Sequence, residues 1–373
     1  MIACRTPGAR ASRPSREGEA AGKRERRPRA GQFALSPSVY HRALLERTTQ
    51  TFAWCGGNFA TWRRSLRAKV AELTGFAVMT RAPRVPLAPR TLWKRKHPLG
   101  TIEKIVFTAE PGADVFAYLC VPQGLEPPWP LFICLQGHSS GMHNSVAIER
   151  EDDGAPVDIE GDRDFGIECL RRGIAAFCVE QRSFGERREQ TQKRIGPHGC
   201  WDASMQALML GRPLVGQRVF DVDRAIDYLE QRGDVDMRRL GVMGNSGGGT
   251  TTLFAAALLD RVRIAMPSCY FCSFRDSIMA MYHCVCNYVP GLLGYAEMAD
   301  ILGLFAPRPV VIVAGREDPI FPIAATRSEF KRLKRIYTAT GAAEKCHLVV
   351  GPEGHRFYAD LAWPVALREL GRR

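Results

Sequence analysis

An alternation of short apolar runs with helix-like segments between residues 131 and 354 constrains the fold most strongly. The apolar runs predict strands at 131–137, 174–182, 239–245, 262–268, 308–315 and 346–354. Helical spacing separates them, most clearly at 213–232, where Val219, Val222, Ile226 and Leu229 share one face. Fully apolar strands that alternate with helices predict a mostly parallel sheet with helices on both faces. We therefore expect an α/β fold.

The chain before residue 131 has a different pattern. Residues 37–76 predict helices that end near Gly75, because apolar residues in "FATWRRSLRAKVAEL" recur at helical spacing. "IEKIVFTA" and "DVFAYLCVP" flank the turn "EPGA", which predicts an antiparallel hairpin at an edge of the sheet. We expect three parts: a tail (1–32), an N-terminal helical extension (33–94) and the α/β domain (95–373).

The charge of the chain is concentrated at its N-terminus. The 373 residues carry a formal net charge of +13. Residues 1–31 hold nine Lys/Arg and three Glu, which gives +6, and almost no large apolar residues. Such a segment is expected to be disordered, and a nucleic-acid partner for it is the less favoured interpretation. Because we find neither an 18-residue apolar span nor a signal-peptide pattern, we expect a cytoplasmic protein with no membrane partner.

The cysteines favour packing over metal binding. Most of the twelve are scattered through apolar runs, as expected for small buried side chains in a reducing compartment. One group, Cys269-x-x-Cys272 followed by His283, Cys284 and Cys286, has residue types that bind zinc. Its second cysteine pair has only one intervening residue, which departs from the usual zinc knuckle. We therefore expect no metal and no cofactor.

Two segments, 137–141 (GHSSG) and 244–248 (GNSGG), fit the pattern G-x-S-x-G. In this pattern a nucleophilic serine occupies a sharp turn between a strand and a helix. Ser246 meets that requirement, because a predicted strand precedes it and a helix-forming run follows. Ser139 follows a strand, but "MHNSVAIEREDDGAP" after it has no clear helical face. The sequence therefore predicts Ser246 as the nucleophile.

The order of elements, together with residues 244–248, resembles the α/β-hydrolase superfamily over roughly residues 95–370. In that fold the loop after an early central strand supplies one oxyanion amide, and "QGHSSG" stands where many esterases have a His-Gly motif. The resemblance implies an oxyanion hole formed by the amides of His138 and Gly247. Gln136 occupies the place of the usual histidine, a departure that matters little to a backbone donor.

The remaining catalytic residues of this fold follow the serine in the order Asp, His. "VVIVAGREDPIFP" is a strand followed by Asp318, with Glu317 as the alternative acid, and "LVVGPEGHRFY" is a strand followed by His355. The resemblance implies a Ser246–His355–Asp318 triad. Each match alone is weak, but matches in this order, each directly after a predicted strand, are hard to obtain by chance.

Within the superfamily, "VEQRSFGER" (179–187) resembles the acetyl xylan esterase and dienelactone hydrolase group. Dienelactone hydrolases typically carry a cysteine nucleophile, so the serine favours an esterase. The resemblance implies a serine esterase that cleaves small-molecule esters of acetyl or carbohydrate type without a cofactor. We expect Arg182 and Glu186 to form structural ion pairs beneath the site.

Two long segments, 183–212 and 270–307, leave the carboxyl ends of predicted strands, where ligands bind in such sheets. The second is rich in aromatic residues and predicts a cap over the pocket, with Tyr270, Tyr282 and Tyr288 as substrate contacts. Three other functions stay open: a serine peptidase of the same fold, a non-catalytic binding protein, and a nucleic-acid binder that uses the tail. The sequence does not predict an oligomeric state.

Overall fold

A computed structural model describes residues 35–189 and 199–371. Within this part, nine strands form one sheet: β1 (Arg90–His97), β2 (Gly100–Glu110), β3 (Ala113–Pro122), β4 (Trp129–Leu135), β5 (Ala175–Val179), β6 (Val235–Asn245), β7 (Ile264–Ser268), β8 (Val310–Gly315) and β9 (Cys346–Gly351). Their order across the sheet is β1-β2-β3-β5-β4-β6-β7-β8-β9. Strands β1, β2, β3 and β5 pair antiparallel, and all pairs from β5 to β9 are parallel. The predicted α/β class and mostly parallel sheet are confirmed.

Ten α-helices accompany the sheet in the described residues: α1 (Pro37–Arg47), α2 (Phe59–Leu73), α3 (Phe76–Arg81), α4 (Phe165–Arg171), α5 (Trp201–Met209), α6 (Leu214–Arg232), α7 (Gly247–Leu258), α8 (Met298–Gly303), α9 (Ile323–Ala339) and α10 (Ala359–Gly371). The predicted tail, 1–32, lies outside the described residues. No helix of the described part combines the length and the apolar character that a bilayer span requires.

The central strands are buried on both faces, as their apolar sequences predict. Along β4, Leu131, Ile133 and Leu135 point into one core, whereas Phe132 and Cys134 point into the other. This period of two follows from the pleat of a strand. The first core contains α6 and α7, and the second contains α4 and α10. The sheet is thus held between two helical layers, and its strand ends are left to carry loops.

The predicted position of the hairpin was wrong. Strands β2 and β3 do form it, but β1 pairs with β2 and is the outer strand. The sequence of β1, RTLWKRKH, is mostly exposed and strongly basic, so it lacks the apolar alternation that marks a strand. Charged side chains are typical of an edge strand, because they discourage pairing with another chain.

The helices before β1 pack against the α/β domain. Leu66 and Val70 of α2 are fully buried in the first core. Arg67 places Nη1 at 2.7 Å from Asp260 and donates from Nη2 to the Leu258 carbonyl at 2.6 Å, at the end of α7. The helix that leads out of the candidate site therefore ends against the N-terminal helices.

Candidate active site

Ser246 occupies the sharp turn between β6 and α7. Its backbone has φ 55° and ψ −116°, a region that residues with a side chain rarely adopt. Its amide donates to the Ser268 carbonyl at 2.9 Å, which fixes the turn against β7. A Cβ atom at Gly248 would lie 1.9 Å from the Leu135 carbonyl oxygen, so only glycine fits there. The glycines of this segment thus permit the close strand–helix contact of a nucleophile elbow.

His355 and Asp318 lie together in the loops after β9 and β8. His355 Nδ1 is 2.7 Å from Asp318 Oδ2. The other carboxylate oxygen of Asp318 accepts from the amides of Ile320 and Phe321 at 3.0 and 3.1 Å. The Asp318 side chain is 1% exposed and that of His355 is 25% exposed, so the acid is shielded while the imidazole reaches the cavity. Glu317, the alternative acid, is exposed.

The first G-x-S-x-G segment forms a loop after β4 and lies beside the elbow. Ser139 is exposed, and a short 3₁₀ turn from Met142 to Val146 follows it in place of an α-helix. A Cβ atom at Gly137 would lie 3.3 Å from the Ser246 Cβ. The buried Gln136 side chain donates from Nε2 to Ser145 Oγ at 2.7 Å and to the Arg163 carbonyl at 2.6 Å, which braces the loop.

The His138 side chain packs against the start of α7. Its Cε1 and Nδ1 atoms are each 2.9 Å from the position that a Cβ at Gly247 would take. Its ring lies edge-on to Phe184, with 4.9 Å between centroids. The loop after β4 and the elbow after β6 are therefore in direct contact, as their adjacent parallel strands require.

A cavity of about 310 Å³ opens at the carboxyl ends of the parallel strands. Its walls come from the loop after β4, the elbow, the segment after β7 and the loops after β8 and β9. They include most of the predicted site residues: His138, Ser246, Gly247, Tyr270, Tyr282 and His355. Tyr288 is not among the lining residues, and its hydroxyl donates to the Ile278 carbonyl at 3.0 Å. Its role as a substrate contact stays a prediction.

The cavity also brings in residues to which the sequence analysis assigned no role in substrate binding. His283 contributes a ring that is 8% exposed and whose Nε2 has no hydrogen-bond partner in the described part of the chain. Burial lowers the pKa of this imidazole, which favours its neutral form. Asn287 lines the cavity too, and its Oδ1 accepts from Thr250 Oγ1 at 2.9 Å. Both residues lie in a loop without a recognisable motif. The only sequence signal for a role in the cavity was their position in the aromatic segment 270–307.

Arg182 and Glu186 form the expected ion pairs. Arg182 donates from Nε and Nη2 to the two carboxylate oxygens of the buried Asp221 at 2.9 and 2.7 Å, and from Nη2 to Glu110 at 2.7 Å. Glu186 lies 2.9 Å from Lys104 Nζ. Neither residue lines the cavity. They hold the segment after β5 against α6 and the hairpin.

The cysteine-rich group in the sequence separates in space. Cys269 donates to the Arg356 carbonyl at 3.1 Å, and burial raises the pKa of its thiol to about 12, which keeps it neutral beside Asp318. Cys272 packs separately, with Sγ 3.8 Å from the Pro322 carbonyl oxygen. Cys284 and Cys286 instead lie near His138 and Cys200.

Comparisons with known proteins find similarity to esterases and hydrolases. A model of the acetyl xylan esterase family matches residues 182–289, which include Ser246. YtaP of Bacillus subtilis (strain 168), a candidate hydrolase, is 26% identical over 275 residues, which are 73% of this chain and 88% of YtaP.

Solved structures show the same fold. BF1801 of Bacteroides fragilis NCTC 9343, a candidate acetyl xylan esterase, superposes with a TM-score of 0.73 at 16% identity, covering 90% of this chain and 85% of its own. The acetyl xylan esterase of Paenibacillus sp. R4 gives a TM-score of 0.56 at 17% identity, covering 88% and 97%. The chain therefore has the fold of these esterases and, with the match to the acetyl xylan esterase model over residues 182–289, the comparisons support a carboxylic ester hydrolase.

Proposed function

We propose that this protein is a serine esterase that cleaves acetyl or carbohydrate esters through a Ser246–His355–Asp318 triad and an acyl-enzyme. One observation carries the proposal: an elbow serine shares a cavity with a histidine whose far ring nitrogen is 2.7 Å from a buried aspartate. Five segments that follow five parallel strands converge on this point, which is where such sheets bind ligands.

In the proposed reaction His355 acts first as a base and then as an acid. With its Nδ1–H donated to Asp318, the imidazole presents Nε2 as the acceptor for the Ser246 proton. The serine oxygen attacks the ester carbonyl, and His355 passes the proton to the leaving alcohol. Water repeats the cycle on the acyl-enzyme and releases the acid. Asp318 keeps the imidazole in the required tautomer and stabilises its charged form.

The amides of His138 and Gly247 are the proposed oxyanion donors. Gly247 is the first residue of α7, so its amide lies at the positive end of a 12-residue helix and has no carbonyl four residues earlier in that helix. The contact of the His138 ring with Gly247 sets the two backbone segments side by side. Each such donor contributes on the order of 3 kcal/mol to transition-state stabilisation.

The cavity favours a small acyl group. A volume of about 310 Å³ is at the lower end of ligand sites, which suits an acetyl ester better than a long acyl chain. Tyr282, 72% exposed, stands at the mouth, where an aromatic face can stack on a sugar ring. The neutral His283 and the amide of Asn287 offer polar contacts deeper in the wall.

Covalent labelling tests the triad directly. The full chain is treated with a fluorophosphonate probe, digested, and the modified peptide is identified by mass spectrometry. We expect the adduct on Ser246 and a faster reaction with acetyl than with octanoyl esters in a parallel substrate panel. Ser139→Ala serves as the matched control and should label at the wild-type position.

An adduct on Ser139 would overturn the assignment of the nucleophile. Failure of the folded wild-type chain to react at all would favour the non-catalytic alternative. A preference for octanoyl over acetyl esters would contradict only the proposed substrate class.

A further inference from the structure

Three cysteines and one histidine from distant parts of the chain meet beside the candidate active site. His138 follows β4, Cys200 lies in the connection after β5, and Cys284 and Cys286 lie in the connection after β7. Their ligand atoms all lie within 4.8 Å of one another. His138 Nε2 is 3.0 Å from Cys286 Sγ. All three cysteines are buried, so the group is a closed cluster and not an exposed patch.

The cluster has the donors of a structural zinc site. Three thiolates and one imidazole form one of the ligand sets that hold tetrahedral zinc without an open position. With Zn–S bonds of about 2.3 Å, tetrahedral ligand atoms lie roughly 3.5 to 3.8 Å apart. The 3.0 Å between His138 Nε2 and Cys286 Sγ is shorter than this range, and the 4.8 Å within which all four ligand atoms lie is longer. Small torsional changes therefore bring the four atoms to one ion.

A buried cation faces the cluster. The Arg218 side chain is 1% exposed and donates to Cys286 Sγ at 3.3 Å, to Cys200 Sγ at 3.6 Å and to the Arg182 carbonyl at 3.0 Å. Within residues 35–189 and 199–371, no carboxylate forms an ion pair with this guanidinium. A buried charge without a counter-charge costs several kcal/mol, so the sulfur atoms are the available source of negative charge.

The position of Arg218 suits thiolate ligands. Its guanidinium donates to the sulfur atoms of Cys286 and Cys200, and a buried positive charge stabilises negative charge on sulfur. Zinc binds cysteine in that thiolate form.

We infer that His138 Nε2 and the sulfur atoms of Cys200, Cys284 and Cys286 bind one structural Zn²⁺ ion. Three thiolates and Zn²⁺ sum to a charge of −1, which the guanidinium of Arg218 neutralises. Binding displaces the thiol protons to solvent. This site differs from our sequence-based expectation of ordinary packing, because two of its ligands, His138 and Cys200, are distant from the cysteine-rich group.

The ion would fasten three connections that surround the cavity. It ties the loop after β4 and the segment after β5 to the cap, where Cys200, Cys284 and Cys286 already pack with Phe184 and Leu214 in one small buried cluster. If the proposed function holds, the His138 ligand also fixes the backbone that carries an oxyanion amide. The metal site itself does not depend on that function.

Metal content is the direct test. The full chain, purified anaerobically without added chelator, should contain about one zinc per chain by mass spectrometry of the metal. After removal of zinc under reducing conditions, Co²⁺ should restore the intense visible bands of tetrahedral thiolate coordination. Cys200→Ser and Cys286→Ser should lose the zinc, whereas Cys272→Ser, which changes a buried cysteine outside the cluster, should keep it.

Several results would overturn the site. The reduced, metal-free wild-type chain could fail to bind Zn²⁺ and Co²⁺ while circular dichroism shows it to be folded. Cys272→Ser could lose zinc as fully as the cluster variants. Thiol titration of the anaerobically purified, denatured chain could find two cluster cysteines joined in a disulfide in place of twelve free thiols.

Discussion

The two G-x-S-x-G segments, 137–141 and 244–248, share a pattern of residues but occupy different structural positions. The second turns directly from β6 into α7, and its serine has the strained backbone of an elbow. The first leaves β4 into a loop and a short 3₁₀ turn, and its serine is exposed. The role of a serine in a G-x-S-x-G segment therefore depends on the element that follows it.

The two segments also differ in what holds them. The elbow is fixed by backbone contacts, which need glycine at residue 248 because the Leu135 carbonyl is so near. The loop after β4 is fixed by side chains: Gln136 braces its start, and the buried Glu180 carboxylate accepts the amide of Met142 at 3.1 Å. A turn that is fixed through its backbone suits a nucleophilic serine. A loop that is fixed through its side chains leaves its backbone amides available to donate to a substrate.

Replacing the two serines gives the largest expected difference. Ser246→Ala should lower kcat by about 10⁶-fold, as loss of a triad nucleophile does, because no other group supplies the attacking oxygen. Ser139→Ala should lower it by less than about tenfold, because the proposed role of its loop is played by backbone amides. Steady-state kinetics with an acetyl ester measures both. Equal losses in the two variants would contradict the different roles proposed for the two serines.

The second-largest effect is expected at Asp318, the acid proposed to orient His355. Asp318→Asn should lower kcat by about 10⁴-fold, because the amide favours the wrong imidazole tautomer. Glu317→Gln is the matched control and should leave kcat within about twofold, since that side chain is exposed. The pair is compared in the same kinetic assay. Similar losses in both variants would contradict the choice of Asp318 over Glu317 as the acid.

The backbone fit of the elbow predicts a stability effect. Gly248→Ala should lower the free energy of unfolding by roughly 3 kcal/mol, because its Cβ would lie 1.9 Å from a backbone oxygen that cannot move without displacing β4. Gly294→Ala adds a Cβ that meets no atom within 4 Å and should be nearly neutral. Urea denaturation measures both. An unaffected Gly248→Ala would show that the elbow tolerates adjustment.

The smallest expected effect is a dependence of stability on pH. It comes from Glu180, whose carboxylate supports the loop after β4. Burial raises the pKa of Glu180 from 4.5 to about 7, against hydrogen bonds from the amides of Glu186 and Met142 that lower it. The folded state therefore binds a proton that the unfolded state has lost, and stability falls as pH rises from about 4.5 to 7. Glu180→Gln should flatten the decline of the melting temperature over this range by a few °C. If the melting temperature of Glu180→Gln declined with pH as steeply as that of the wild type, Glu180 would not be the cause of the decline.

The local features of this protein, and the order of its candidate catalytic residues, could be predicted from the sequence. Short, fully apolar runs that alternate with helical segments predicted the parallel strands, and glycines around Ser246 predicted the elbow, because both depend on residues close in the chain. The order of Ser246, Asp318 and His355 followed from the resemblance, each just after a strand. Parallel strands bring the loops after their carboxyl ends to the same edge of the sheet. The meeting of these three residues near one cavity could therefore be predicted in outline.

Contacts between residues far apart in the chain became visible only in the folded structure. It placed basic β1 at the edge that the hairpin was predicted to occupy, because pairing with β2 needs backbone groups and not apolar side chains. It paired His355 with Asp318 and left the neighbouring Glu317 exposed, since the direction of each side chain depends on the turn. It also gathered His138 and Cys200 with two cap cysteines. No spacing in the sequence marks this cluster, because three separate connections must fold before these side chains can touch.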